Sequence, residues 1–426
     1  MVNLQAFGAT EYMDGALTSP VLSELLLRGR TSRDRGRARP RSPSEDEVAE
    51  HRKECRPIEA IDFCGCVSSV FVKALDEFVQ TNLRSSGDEA SMEFPDMQRL
   101  GLRSVRSLPE SVLTPFVLAF PSLTHLDLSG TLCSPDLLER LAEQPRLRLT
   151  SLALGRCSRL TSESITKVLV EGPATFHLKE LSLYGDELFG SPLTEEDLLR
   201  IVTKGPCFIS GQLRYLDLSS APFTPEILKA CHAQPALRSL GLSHIPTLPL
   251  QNVADFLLNK CPNVEVLTLT KTSPELALNV RSATIALHSN IIQPLATPPF
   301  SFSLTGPTVP KPAATRLRVI ELTPFMLKAL EGGAGSWRVV KSKGGRGWYV
   351  DVACGWIADG AEGGVFRRDL ALDHPHRVEL QKLADANGNV SSGVGWHARK
   401  MEVSWKFSEA FLSYILNIFF FLDPAR

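Results

Sequence analysis

The strongest constraint on the fold is a short aliphatic signature, L-x-x-L-x-L, that returns along the middle of the chain. Clear copies are Leu123-Leu126-Leu128, Leu149-Leu152-Leu154, Leu178-Leu181-Leu183, Leu213-Leu216-Leu218 and Leu237-Leu240-Leu242. Val264-Leu267-Leu269 and Leu317-Ile320-Leu322 continue the series, and Ile58-Ile61-Phe63 and Met97-Leu100-Leu102 precede it. The central positions are separated by 39, 26, 26, 29, 35, 24, 27 and 53 residues. A recurrence with a period of roughly 20–30 residues is the mark of a stacked repeat architecture. The longer steps predict insertions, and the last one predicts either a degenerate repeat or a long loop.

Helix signals lie between the triplets. Ser134-Pro135-Asp136, Thr194-Glu195-Glu196 and Thr224-Pro225-Glu226 each open an amphipathic run. The hydroxyl accepts from free N–H groups of the first turn, proline suits the first helical position, and acids there favour the helix dipole. The segments opening at Ser134 and Thr224 also match each other, and both reach a Gln-Pro pair (Gln144-Pro145 and Gln234-Pro235). Each unit therefore reads as a strand followed by a helix. One unit cannot bury its leucines alone, whereas stacked units bury them in a continuous core.

On these residues the chain resembles the leucine-rich repeat superfamily in its ribonuclease-inhibitor-like form. The resemblance implies an α/β horseshoe solenoid with strands on the concave face and helices on the convex face. Ile58 to Cys66 and Leu149 to Cys157 fit the cysteine-containing variant, L-x-x-L-x-L-x-x-C, associated with F-box proteins. Other units carry Thr131, Asp186, Ala221, Ile245 or Thr272 at the cysteine place. The GWYVD and GWHARKMEV stretches resemble a C-terminal module of certain fungal leucine-rich repeat proteins.

Composition and segment boundaries complete the expected organisation. Residues 1–54 read as a disordered Arg/Ser/Pro-rich segment, because RGRTSRDRGRARPR at 28–41 offers no apolar face. The solenoid runs over 55–292, a Pro-rich loop over 293–316 and a last repeat over 317–330. A small mostly-β or α+β module follows over 331–409, from its alternating aromatic and β-branched residues. The apolar tail at 410–426 is too short to span a bilayer. A buried helix, an interfacial helix and a spurious gene-model end compete for it, and the abrupt change of composition favours the last.

With 46 basic and 47 acidic residues, the net charge of −1 argues against a protein built to grip a phosphate backbone. No secretory signal opens the chain, so its nine cysteines point to a reducing cytoplasmic or nuclear compartment.

Strand alternation places the candidate site. If Leu126 and Leu128 face the core, His125, Asp127 and Ser129 face the concave surface. The same rule brings Glu180 and Tyr184 beside Tyr215 and Asp217. Two exposed tyrosines flanked by acids predict a docking point for a basic or polar partner peptide. The partner-binding candidates are therefore His125, Asp127, Glu180, Tyr184, Tyr215 and Asp217.

Catalytic and metal constellations are absent from this reading. His125, Asp127 and Ser129 share one strand and lack the oriented base and oxyanion site of a triad. Cys64 and Cys66 with Cys55 nearby lack the second ligand pair of a zinc site. Asp385 to Trp396 opens like a calcium loop but has Val390 where glycine belongs and Trp396 where glutamate belongs. No cofactor is expected. The function expected is a non-enzymatic protein-binding scaffold. One alternative is an F-box-type substrate receptor of a ubiquitin ligase that recruits a Skp-type adaptor, although no F-box is evident. A second is a ligand or catalytic site around Trp396, His397 and Arg399.

Overall fold

A computed structural model describes residues 4–27, 56–83, 92–298, 313–341, 347–351, 356–359 and 364–367. Among them a 12-stranded sheet is built one strand per repeat. Its strands are β1 (Ala6–Gly8), β2 (Ala60–Asp62), β3 (Arg99–Gly101), β4 (His125–Asp127), β5 (Ser151–Ala153) and β6 (Glu180–Ser182). They continue as β7 (Tyr215–Asp217), β8 (Ser239–Gly241), β9 (Val266–Thr268) and β10 (Val319–Leu322). These ten run parallel in chain order. Their centres pair in line, as Leu126 with Leu152, Leu152 with Leu181 and Leu181 with Leu216. All nine triplet centres named from the sequence lie in strands and are buried. The fold is a leucine-rich-repeat solenoid.

Helices follow the strands as the capping signals predict. They are α1 (Ser19–Leu26), α2 (Ser69–Asn82), α3 (Glu110–Leu118), α4 (Pro135–Glu143), α5 (Ser162–Val170) and α6 (Glu195–Lys204). The short α7 (Pro206–Ile209) and α8 (Pro225–Ala230) precede α9 (Leu250–Lys260), α10 (Val280–Leu287) and α11 (Pro324–Ala329). Ser134, Thr194 and Thr224 each accept from the backbone N–H three residues on, at 3.3, 3.2 and 3.4 Å. The repeated Gln-Pro pairs also find a use. Gln144 Nε2 donates to the Leu118 carbonyl at 3.1 Å and Gln234 Nε2 to the Phe208 carbonyl at 2.6 Å, each 26 residues back. Each glutamine thus ties its repeat to the one before.

Two occupants of the variable cysteine place bond back to the preceding repeat. Cys157 Sγ donates to the Leu128 carbonyl at 3.0 Å, in the preceding repeat. The Thr272 hydroxyl donates to the Leu242 carbonyl in the same manner. Thr131 instead donates to the Leu128 carbonyl of its own repeat at 2.7 Å, and Ala221 and Ile245 carry no side-chain donor, so small size rather than one hydrogen bond is what most occupants share.

Beyond β2, β3, β4, β5, β7, β8 and β9 the chain leaves the sheet through a residue of positive φ: Gly65, Ser104, Gly130, Arg156, Ser220, His244 and Lys271. Their backbone N–H groups extend the ladder along one rim, as Gly130 to Gly155 at 2.7 Å and Arg156 to Tyr184 at 2.9 Å. That rim carries the side chains described below.

Three expected boundaries require correction. Ordered structure begins well before residue 55, because β1 pairs with β2 and Leu22, Leu25 and Leu26 of α1 enter the common core. Phe7 and Ala9 hold places that leucines hold elsewhere, which hid this repeat. The Pro-rich loop begins later than 293, because a wide helical turn over His288–Ala296 extends α10 and buries Ile291, Ile292 and Leu295. The start of the C-terminal module is not separate from the solenoid. The hairpin of β11 (Trp337–Lys341) and β12 (Gly347–Asp351) joins the same sheet, with β12 antiparallel to β10. It places Trp337 and Tyr349 over the last repeat's core. A two-stranded ribbon, β13 (Trp356–Asp359) with β14 (Gly364–Arg367), follows. The 28–41 linker, the calcium-like loop at Asp385, the Trp396, His397 and Arg399 group and the tail at 410–426 lie outside the described residues.

Candidate functional site

The concave wall divides into two halves by exposure. On the N-terminal half, Arg99, His125, Asp127, Glu180 and Tyr184 are half-buried, while Ser151 and Ala153 on the intervening β5 are buried. On the C-terminal half, Tyr215 and Asp217 are 3% and 4% exposed. The pair of exposed tyrosines expected from the sequence is therefore reduced to Tyr184. The Tyr215 ring packs on Ala153, two strands away. On the intervening β6, Glu180 stands directly opposite Tyr215 and Ser182 directly opposite Ala153, so the ring crosses the sheet diagonally between them. Burial and the neighbouring Asp217 carboxylate both push the Tyr215 phenol up.

The aspartates of the L-D-L repeats are locked locally. Asp127 Oδ1 accepts from Ser129 N at 2.9 Å. Asp217 Oδ1 accepts from Ser219 N at 3.0 Å and Ser219 Oγ at 2.7 Å, while the Tyr215 hydroxyl donates to Oδ2 at 3.3 Å. Burial raises the Asp127 carboxyl, partly opposed by Arg103 and by its bonds to Ser129. Glycines stand beside aspartates on neighbouring strands: Gly8 and Gly101 flank Asp62, Gly101 also pairs with Asp127, and Gly241 pairs with Asp217. A Cβ at Gly101 would come within 2.7 Å of Asp62 Oδ1, and one at Gly241 within 2.5 Å of Asp217 Cγ.

His125 does not face Asp127 as a base faces its orienting acid. Its Nδ1 lies 2.8 Å from Thr124 Oγ1. Burial, assisted by Arg99, lowers it to about 4, so the ring is neutral at physiological pH. The strand thus offers a polar surface and not a proton relay. The described residues contain no group of three or more His, Cys, Asp or Glu able to hold a metal ion.

The 35-residue step from Leu181 to Leu216 predicts an insertion without fixing its place or role. The structure folds Gly185–Leu193 over the rim. Asp186 Oδ1 accepts from Leu188 N at 2.9 Å and Phe189 N at 2.8 Å, and Ser220 Oγ accepts from Ser191 N at 3.3 Å. Asp186 also pairs with Arg156 at 3.1 Å. The guanidinium carbons of Arg106 and Arg156 lie over the Phe189 ring, 5.1 and 5.0 Å from its centroid. Glu187 reaches Lys271 at 2.6 Å, 84 residues away. The only advance signal was the 35-residue step.

No protein-family model matches the chain, and no curated protein matches it. Among solved structures it is similar to the leucine-rich repeat-containing protein LegL7 from Legionella pneumophila. The identity is 16% and the TM-score 0.37, over 78% of this chain and 98% of that one. At that level the likeness carries no argument about function.

Proposed function

We infer that this chain is a non-enzymatic scaffold that binds another protein on the N-terminal half of its concave wall. The supporting observation is the set of half-buried polar side chains His125 and Asp127 on β4 and Glu180 and Tyr184 in the β6 repeat, two strands along the same sheet. Held on rigid strands, they lose little freedom on docking. Tyr215 and Asp217 support that surface from below by fixing the sheet face beside it. The compartment proposed is cytoplasmic or nuclear, in keeping with free thiols at all seven described cysteines. Among the described residues no helix is long and apolar enough to cross a membrane.

A photo-crosslinking amino acid at His125 or Glu180 tests this reading. Partner adducts should form from both positions and not from Glu163 on the opposite face. Adducts from Glu163 alone would overturn it. A second reading, a ligase substrate receptor, draws on the buried cysteines Cys66 and Cys157 at the motif place. Its test is direct binding of a purified Skp-type adaptor, and failure of that binding removes it.

A further inference from the structure

The rim insertion is better built than a connection requires. Its backbone is fixed by Asp186 and Ser220, and it holds Leu188 84% exposed at its tip. An apolar side chain held rigidly in water stabilises nothing in the isolated fold. Beside it lies a cavity of about 210 Å³, lined by Leu154, Ile165, Leu183, Tyr184, Phe189 and Pro192 among others. That volume matches one aliphatic or aromatic side chain. Charge at the mouth is unequal. Asp186 neutralises Arg156 and Lys271 neutralises Glu187. Arg106 is exposed, rests on Phe189 and faces no carboxylate in an ion pair among the described residues.

We propose that this rim cleft docks a segment of the partner protein that carries one apolar side chain flanked by acidic residues. The apolar side chain enters the cavity against Leu183 and Phe189, with Leu188 closing over it. The carboxylates meet the Arg106 guanidinium, which aromatic stacking has already oriented. This deepens the scaffold reading and rests on it, by naming the chemistry of the partner.

The test pans random dodecamer peptides displayed on phage over the full chain. Selected peptides are then synthesised and titrated by fluorescence polarisation. Enriched sequences should place Leu, Ile or Phe next to Asp or Glu. Arg106→Glu should weaken the peptides at least tenfold, and Leu188→Ser at least threefold. Lys73→Glu on the convex face should leave binding unchanged. Both tested side chains are exposed, and unchanged melting temperatures verify folding. Failure to enrich any sequence, enrichment of basic or uncharged ones, or binding to Arg106→Glu within twofold of the parent would overturn the proposal. If His125 still crosslinks a partner after such a result, the scaffold stands and the rim site falls. If peptides bind as expected while His125 and Glu180 give no adduct, the concave reading fails instead.

Discussion

Replacing Gly241 by alanine adds one methyl group where the concave face has no room. A Cβ there would meet Asp217 Cγ at 2.5 Å, and Asp217 is only 4% exposed. The carboxylate cannot swing aside freely, because Ser219 N, Ser219 Oγ and the Tyr215 hydroxyl all hold it. Overpacking of this kind costs about 1–3 kcal/mol, and a disrupted hydrogen bond to a charged group about 1.5–3 kcal/mol more. The expected loss is therefore about 2.5–6 kcal/mol. Urea unfolding followed by far-UV circular dichroism measures it. Gly15→Ala is the control, since a Cβ there meets nothing within 4 Å. The decisive comparison repeats Gly241→Ala in an Asp217→Ala background. If Asp217 is the obstacle, most of the penalty disappears there. A loss below about 0.5 kcal/mol, or the same loss in both backgrounds, would refute the reasoning.

Other expectations follow from single contacts. Gln234→Ala should cost about 0.5–1.5 kcal/mol, because it removes the shorter bond to the Phe208 carbonyl and leaves the longer one from Gly211 N at 3.3 Å. His125 carries a pH dependence whose sign is fixed. Its folded value of about 4 lies below the ordinary 6.5, so the unfolded chain binds the proton more readily between those values. Stability should therefore fall as pH drops from 6.5 towards 4, by up to about 3 kcal/mol from this residue. His125→Gln should flatten that part of a melting-temperature profile, and an unchanged slope would count against burial of the ring. Thiol labelling with peptide mapping should leave Cys66, Cys133, Cys157, Cys207, Cys231 and Cys261 unmodified until the chain unfolds. All six are buried, and burial pushes Cys157 to about 11 and Cys207 to about 12. Rapid labelling of any of them in the native protein would contradict the packing.

The solenoid was legible because its driving term is periodic. Every leucine triplet marks a strand whose central side chain must leave water, and nine centres suffice to fix the stacking direction. The first repeat escaped notice because Phe7 and Ala9 fill a terminal unit that has a neighbour on one side only. The hairpin of β11 and β12 was visible as alternating strands, yet its pairing with β10 depends on a chain reversal that local pattern does not encode. The site was legible in part. Alternation tells which face a residue occupies, and His125, Asp127, Glu180 and Tyr184 are indeed half-buried. It does not tell whether a ring stands or lies down. Tyr215 packs diagonally on Ala153, two strands back, a contact between repeats that alternation within one strand does not encode. The rim loop's partners, Arg106 and Lys271, sit about 80 residues to either side, beyond the reach of any local rule.

Hydrogen–deuterium exchange of the full chain, alone and with its crosslinked partner purified, bears most directly on where docking occurs. Peptides spanning residues 124–130, 150–156 and 179–190 should gain protection on binding, while those of α4 and α5 exchange as before. Protection confined to α4 and α5, with the strand peptides unaltered, would place the partner on the convex helices and contradict the account.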